Sequence, residues 1–313
     1  MRAILYDRYG PASLLRLAEV PEPGPLRRGQ VRLRIACAAL NPKDAFVRKG
    51  RFRALSGSGF PKRCGVDAAG VVLESRAAHL VPGQRAFGFL EEWRLRRGTL
   101  AEQAVFEGHE LAATPDGVDD AAAAGMALAG STALQALRDL GRLRPGQRVL
   151  VNGASGGVGT AAVQLARLLG AEVHTLTGPA NRPLCAELGA HAAWSYEEDA
   201  WKGQGPFDLV FDVFGNLALA GLRPLLAPGG RFISTVPTPG RLLREGLARL
   251  TGRGERLVVV RPRTADLAQL AAWLAGGRVR TIIDARFALA DLRAAFARLE
   301  SKRTRGKIVI DVG

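Results

Sequence analysis

The spacing of hydrophobic and polar residues changes once along the chain, after about residue 118. Before that point, short stretches such as VRLRIACAAL (31–40) alternate apolar and polar residues, and turns rich in Pro and Gly, such as PEPGP (21–25), separate them. An alternation with a period of two, bounded by turn residues, predicts short strands with one buried face. We therefore expect residues 1–120 to form a domain that is mostly β.

After that point, the pattern predicts helices and strands in alternation. The Ala-rich stretch 119–140 predicts a helix, and apolar runs of strand length then alternate with segments of helical spacing. The expected strands are 148–152, 172–176, 207–214 and 230–236, and the expected helices cover 158–169, a segment ending at 188, and 217–226. This order predicts an α/β domain over 121–261, with a parallel sheet covered on both faces. Residues 262–313 have the lengths to rejoin the first domain.

A cluster of small residues, NGASGGVGT (152–160), joins the first of these strands to its helix. Ala154, Gly156 and Gly159 occupy the three positions of a G-x-G-x-x-G turn, with alanine in the first. Small residues let backbone amides approach a pyrophosphate, and the helix start adds a partial positive charge. We predict a dinucleotide site formed by Ser155, Gly156, Gly157, Val158 and Gly159. The alternative is a tight strand–helix turn without a ligand.

The end of the second strand bears on which dinucleotide is bound. An NAD site places an acidic residue there for the ribose hydroxyls. This strand ends in Thr177 instead, and no acid follows until Glu187. Asn181 and Arg182 lie between them and suit a 2′-phosphate, because a charge-assisted hydrogen bond from Arg182 contributes roughly 1.5–3 kcal/mol. We therefore predict NADPH as the cofactor, and the alternative is that Arg182 is a solvated residue at a helix start.

Charge and composition limit the partners and the compartment. The net charge is +15, but the arginines are scattered, and even the densest stretch, 241–263, contains glutamates. This pattern favours a solvated surface that attracts an anionic cofactor, and it makes a nucleic-acid partner unlikely. There is no apolar run of membrane-spanning length, no secretory signal in MRAILYDRYG, and only three widely spaced cysteines. We expect a cytoplasmic protein without disulfides.

With these motifs in place, the chain resembles the medium-chain dehydrogenase/reductase superfamily, and within it the zinc-free quinone oxidoreductase (zeta-crystallin-like) branch. The resemblance rests on segments in the family's order: 39–50 (ALNPKDAFVRKG), 65–72, 98–117, 128–137, 151–171, 207–215 and 285–310. It implies a GroES-like β-barrel catalytic domain over 1–120, a Rossmann domain over 121–261, a return segment over 262–313, and a cleft between the domains. It also implies a homodimer.

The resemblance implies that no metal is bound. Zinc-dependent relatives carry a cysteine where this chain has Asn41, and a Gly-His-Glu motif where it has Gly65-Val66-Asp67. Neither replacement completes a tetrahedral Cys/His site, and the family's four-cysteine zinc loop is absent from the sequence. His109, in a GHE triplet, lies too far along the chain and is interpreted as a coincidental match.

Without a Lewis acid, the resemblance implies hydride transfer to acceptors that are already activated, namely quinones or α,β-unsaturated carbonyl compounds. Asn41 is the candidate for a polar contact to the nicotinamide or the substrate carbonyl. Asp44 is a second candidate, whose alternative role is that of an acid at a helix start. By resemblance, Thr132, Phe214 and Thr235 line the cofactor cleft.

The sequence departs from the family at one point that concerns the proton donor. Family members often carry tyrosines where this chain has Phe46 and Phe52, so a phenolic donor is missing there. Two alternative functions stay open: a non-enzymatic NADPH-binding protein with nucleic-acid affinity, and an enoyl-thioester reductase.

Overall fold

The computed structural model describes residues 1–238, 240–241, 245–246 and 255–313. The chain forms two compact units, residues 1–128 with 261–313, and residues 129–260. The division therefore falls inside the helix Asp120–Leu134, later than the boundary at 120 that we expected from the sequence. The first half of this helix is held in the first unit, because Thr281 Oγ1 donates to Ala122 O (2.6 Å) and Leu128 N donates to Asp67 Oδ1 (3.0 Å).

The strands and helices are numbered in chain order within the described residues. The strands are β1 (Arg2–Tyr6), β2 (Arg16–Glu19), β3 (Gln30–Leu40), β4 (Lys62–Arg63), β5 (Asp67–Ser75), β6 (Arg85–Phe89), β7 (Gln103–Glu107), β8 (Leu111–Ala113), β9 (Arg148–Asn152), β10 (Glu172–Thr177), β11 (Ala192–Ser195), β12 (Phe207–Asp212), β13 (Leu226–Ser234), β14 (Glu255–Leu257), β15 (Ile283–Ala288) and β16 (Lys307–Asp311). The α-helices are α1 (Pro42–Arg48), α2 (Arg53–Ser56), α3 (Asp120–Leu134), α4 (Gly157–Leu168), α5 (Arg182–Glu187), α6 (Leu219–Leu222), α7 (Thr264–Ala275) and α8 (Leu292–Glu300).

The first unit is built on a large sheet with β3 at its centre. The strand order is β15-β16-β3-β5-β6-β8, with β7 also paired to β3, and a smaller sheet has the order β2-β1-β4. The C-terminal segment completes the large sheet, because β16 pairs antiparallel with β3, Ile308 opposite Leu40 and Asp311 opposite Cys37. Alternate residues of β3, among them Val31, Leu33 and Ile35, are buried, as the period of two predicts.

The second unit is a parallel sheet of six strands in the described part of the chain, in the order β11-β10-β9-β12-β13-β14. This is the doubly wound order, in which the chain starts in the middle of the sheet and reverses direction beside β9. Val149, Leu150 and Val151 of β9 are fully buried, as expected of a central parallel strand. The α/β fold class with a Rossmann sheet and a GroES-like unit is thereby confirmed.

The structure differs from the sequence-based prediction in two segments of this sheet. Strand β11 was not predicted, because AAWS is short and only partly buried. The helix expected over 217–226 was wrong in its extent: α6 spans Leu219–Leu222, a 3₁₀ turn covers Arg223–Leu225, and Leu226 already pairs with Phe207 in the sheet. Pro224 has no N–H for a helical hydrogen bond, which favours this early end.

Two further observations concern the expectations about a membrane-spanning segment and about the arginine-rich stretch. Among the described residues, no helix is long and apolar enough to cross a bilayer. Of the arginine-rich stretch 241–263, residues 242–244 and 247–254 lie outside the described residues.

Candidate functional site

The glycine turn follows β9 and opens α4, as the sequence predicts. Gly156 is the N-cap residue of α4, with φ −80° and ψ 176°. A Cβ built on Gly156 would meet only Gly153 O, at 3.6 Å, so the space beside this residue is open. The first N–H groups of a helix have no carbonyl partner within it, so those of α4 can bind an anion in that space.

Gly159 has a different role from Gly156. A Cβ on Gly159 would lie 2.2 Å from Gly153 O and 2.7 Å from the backbone of Ala154. No real side chain tolerates such distances, so the absence of a Cβ is what allows the first turn of α4 to pack on the end of β9. Of the two glycines, Gly159 serves the packing of the helix and Gly156 leaves room beside it.

Ser155 is the meeting point of three of the predicted cofactor residues. Thr177 Oγ1 donates to Ser155 Oγ (2.9 Å), and Asn181 Nδ2 donates to the same atom (3.1 Å). With two donors on its oxygen, the Ser155 hydroxyl keeps its own proton for another acceptor. Thr177 is itself only 2% exposed, so its hydroxyl orients Ser155. Asn181 Oδ1 is buried and has no hydrogen-bond partner in the described structure.

Arg182 begins α5 and is close to an acidic residue that no sequence pattern had pointed to. Its Nη1 lies 3.5 Å from Glu198 Oε1, and the two side chains are 44% and 49% exposed. An exposed pair at this distance contributes little, so the guanidinium is free to turn to another anion. Tyr196, also missed, follows β11, and its hydroxyl lies 3.2 Å from the position of a Cβ on Gly178. The sequence signal for Tyr196 would have been the unpredicted strand β11.

The remaining cofactor candidates of the second unit are placed by different contacts. Phe214 is 54% exposed, and its backbone N lies 3.1 Å from the position of a Cβ on Gly153, so it lies against the glycine turn. Thr235 follows β13, and its Oγ1 donates to Val213 O (2.8 Å). Thr132 lies within α3 and is 5% exposed. The structure thus brings Phe214 to the turn, whereas the roles of Thr132 and Thr235 stay predictions.

A buried carboxylate behind the turn was also not predicted from the sequence. Asp212, at the end of β12, accepts hydrogen bonds from Asn152 Nδ2 (2.7 Å), Gly215 N (2.8 Å) and Arg241 Nη2 (3.2 Å). These bonds connect the ends of two adjacent strands to the loop that carries Phe214. Asp212 therefore fixes the backbone on one side of the candidate cofactor site.

In the first unit, Asn41 belongs to a buried polar cluster with Asp67 and Lys307. Asn41 Nδ2 donates to Asp67 Oδ2 (2.9 Å), and Lys307 Nζ donates to Asn41 Oδ1 (2.6 Å) and to Asp67 Oδ2 (2.9 Å). All three residues are 5% exposed or less. Burial raises the pKa of Asp67, and the Lys307 ammonium and the Asn41 amide oppose that rise. Nothing in the sequence indicates that Lys307, at the start of the last strand, reaches Asn41.

Asp44 lies on the first turn of α1 and accepts a hydrogen bond from Asn41 N (2.8 Å). This contact is the helix-start role that was the alternative to a catalytic one. Burial raises the pKa of Asp44 to about 6, and the Asn41 N–H opposes that rise. One turn further on, Arg48 is fully buried and bonds Gly10 O and Glu300, which anchors α1.

Comparison with known proteins identifies the family. Residues 27–178 match the family described as "Alcohol dehydrogenase GroES-like domain", and residues 188–310 match "Zinc-binding dehydrogenase". The chain is 31% identical over 326 residues to the quinone-oxidoreductase QR1 of Triphysaria versicolor, covering 99% of this chain and 98% of that protein. The chain belongs to the quinone oxidoreductase branch of the medium-chain dehydrogenase/reductase superfamily.

Two further relatives extend the comparison within this branch. The chain is 31% identical to an NADPH-dependent alkenal/one oxidoreductase of Arabidopsis thaliana, over 99% of this chain and 79% of that protein. The quinone oxidoreductase of Thermus thermophilus, solved also in complex with NADPH, superposes with a TM-score of 0.78 at 31% identity over 100% of both chains. Membership of this branch implies an oxidoreductase that uses a nicotinamide cofactor.

The glycine turn fits the pyrophosphate of such a cofactor. The open space at Gly156, the first N–H groups of α4 and the donor hydroxyl of Ser155 are groups that bind phosphate oxygens. The unpartnered Asn181 Oδ1 can accept from a ribose hydroxyl. When bound, a nicotinamide cofactor supplies the hydride, and these are the residues that would hold it.

The described residues contain no group of three or more His, Cys, Asp or Glu side chains that could hold a metal ion. Cys64, next to the family's metal-ligand position, is fully buried, and burial raises the pKa of its thiol. Burial also raises the pKa of Cys37 to about 12, so this thiol stays protonated near neutral pH. His109 lies exposed on a 3₁₀ turn, Gly108–Glu110.

We expect Lys307→Met to destabilise the protein by roughly 3–5 kcal/mol, because it leaves the buried Asp67 carboxylate without its cation. Adding Asp67→Asn removes that charge, so the double variant should recover most of the loss. Urea unfolding at neutral pH measures both effects. A double variant no more stable than Lys307→Met would show that the ion pair is not the source of the loss.

We expect Gly156→Val to weaken NADPH binding at least tenfold while the melting temperature of the cofactor-free protein changes by only a few degrees, since its Cβ meets open space. Gly159→Ala is the matched control, because its Cβ meets backbone at 2.2 Å and should lower the melting temperature much further. Isothermal titration and thermal melts separate the two effects. Normal NADPH binding by Gly156→Val would mean that the turn is only structural.

Proposed function

We propose that the protein is an NADPH-dependent, zinc-independent oxidoreductase that transfers hydride to quinones or α,β-unsaturated carbonyl compounds. The observation that carries the proposal is the open space at Gly156, beside the first turn of α4 and the Ser155 hydroxyl, in a chain of this family. A turn that served only to connect β9 to α4 would need Gly159 but would not need open space at Gly156.

The preference for NADPH over NADH is supported by the end of β10. Thr177 stands where an NAD site carries an acid for the ribose hydroxyls, and its side chain bonds Ser155. Arg182 begins the following helix and is held only loosely, by Glu198. Tyr196 is 57% exposed and brings a second hydrogen-bond donor, its hydroxyl, close to Gly178 at the end of β10.

Independence from zinc is supported by the charge of the Asn41 cluster. The Lys307 ammonium already neutralises Asp67 and occupies the Asn41 carbonyl, so a divalent cation there would face a buried positive charge at close range. Val66, in the place of the family's histidine, is fully buried, and its side chain has no atom that could bind a metal. Both features oppose a metal at this position.

The choice of acceptor follows from the absence of a Lewis acid in this proposal. A simple ketone needs a metal or a positioned proton donor to polarise its carbonyl for hydride transfer, whereas a quinone or a conjugated enone is already activated by its own conjugation. The names of the relatives, quinone oxidoreductase and alkenal/one oxidoreductase, agree with these two classes. We further propose a homodimer, from the family resemblance, and a cytoplasmic protein without nucleic-acid partners, from the sparse cysteines and the scattered arginines.

The proposal is tested with a panel of quinones and enones, with NADPH or NADH as reductant. We expect oxidation of NADPH with at least one of the two classes, no loss of rate after treatment with a chelator, and little zinc by elemental analysis. Near-stoichiometric zinc in the purified protein, or a rate abolished by the chelator and restored by zinc, would refute independence from zinc.

We expect Arg182→Ala to weaken NADPH binding by about ten- to a hundredfold and NADH binding much less, since only NADPH carries the 2′-phosphate that a charge-assisted bond would recognise. Glu198→Gln is the control: it keeps Arg182 and removes its competing acid, so the preference for NADPH should be unchanged or greater. Titration of both cofactors measures this. Equal losses for both in Arg182→Ala would mean that Arg182 does not contact the phosphate.

A further inference from the structure

Lys43, two residues after Asn41, places an ammonium group on helix α1. Lys43 Nζ donates to the backbone carbonyl of Glu92 (3.2 Å) and lies 4.2 Å from the centre of the Trp93 ring. The Phe52 ring packs edge-on against Trp93, with 5.5 Å between the ring centres. The side chain thus extends along an aromatic surface, and an ammonium that bonds one carbonyl has two further protons to donate.

The surroundings of Lys43 lower the pKa of its ammonium group. Burial lowers the pKa of the ammonium, while the nearby carboxylates Asp44, Asp67, Glu92 and Glu91 oppose that change. Of these acids, Asp67 is already paired with Lys307. Within the described residues Lys43 forms no ion pair of its own. Because burial destabilises its charged form, the Lys43 ammonium is a better proton donor near neutral pH than that of a solvated lysine.

The tyrosines of the chain do not offer an alternative donor on this unit. The sequence contains three tyrosines. Tyr6 is fully buried, and the Tyr9 hydroxyl is engaged by Ser56 and by the carbonyl of Gly57. Tyr196 belongs to the other unit, beside Gly178. At the two positions where relatives carry tyrosine, this chain has phenylalanine.

We propose that Lys43 is the proton donor to the carbonyl oxygen of an α,β-unsaturated substrate, and so replaces the missing tyrosine. This proposal rests on the proposed function, because it needs an acceptor that takes up hydride. In this proposal Lys43 is the catalytic residue. Asn41, whose amide is fixed by Asp67 and Lys307, is a positioning residue.

The reduced nicotinamide cofactor would supply hydride with its two electrons and would itself be oxidised. The hydride adds to the β-carbon of the enone, and the displaced π electrons move onto the carbonyl oxygen. A Lys43 N–H bond breaks as an O–H bond forms, which gives the neutral enol and a neutral amine. Water then returns a proton to the amine, and the enol rearranges to the saturated ketone. A reduced quinone needs no such donor, because water protonates its oxygens directly.

The test compares an enone with a quinone in the same variant. In Lys43→Met, we expect the ratio of kcat for methyl vinyl ketone to kcat for phenanthrenequinone to fall about a hundredfold, the usual contribution of a general acid. Lys43→Arg keeps the charge and should also lower the ratio, because a guanidinium does not release its proton. Lys49→Met, an exposed lysine just after α1, is the matched control and should leave the ratio unchanged.

A second measurement does not depend on turnover. Trace labelling with acetic anhydride at a series of pH values, read by peptide mass spectrometry, gives the pKa of each lysine in the unmodified protein. We expect the pKa of Lys43 to lie clearly below the ordinary value of a lysine side chain. An equal loss of rate for both substrates in Lys43→Met, or a Lys43 pKa at the ordinary lysine value, would overturn the assignment. Wild-type protein inactive with both substrates would refute the proposed function itself, and with it the role of Lys43.

Discussion

A buried ammonium group connects three distant parts of the first unit. Lys307 lies at the start of the last strand, Asn41 at the start of α1, and Asp67 at the start of β5, and two hydrogen bonds from one Nζ bring them together. Removing a lysine and an aspartate from water is costly, so the arrangement persists only because each charge has a close partner. The return of residues 261–313 to the first unit is what supplies that partner.

The same ammonium limits the chemistry available at this position. A site that already holds a fixed cation next to its carboxylate is poorly suited to a second one, and the amide of Asn41 is oriented by bonds at both of its ends. In our proposal, charge on a reduced substrate is therefore stabilised by the reactivity of the acceptor itself and by the proton of Lys43.

In the second unit, two glycines of one short turn have different roles, one in packing and one beside open space. Gly159 allows α4 to touch the end of β9, and this contact directs the helix start toward the open space at Gly156. Thr177 and Asn181 then fix the orientation of Ser155 from the neighbouring strand and the turn after it. The candidate phosphate site is thus organised in the absence of a ligand, which would reduce the entropic cost of binding.

The sequence by itself determined the α/β class, the positions of four strands of the second unit (β9, β10, β12 and β13) and the glycine turn, because these depend on the local spacing of apolar and small residues. It also indicated a helix start as the alternative role of Asp44, since an acid in the first turn of a helix is a local signal. Only the tertiary structure decided that Asp67 and Lys307 meet Asn41, that Thr177 bonds Ser155, and that Glu198 and Tyr196 lie near the candidate phosphate residues. These contacts join residues far apart in the chain, and their partners depend on sheet order and strand register. No local sequence pattern specifies these contacts, because they form only when the whole sheet is assembled.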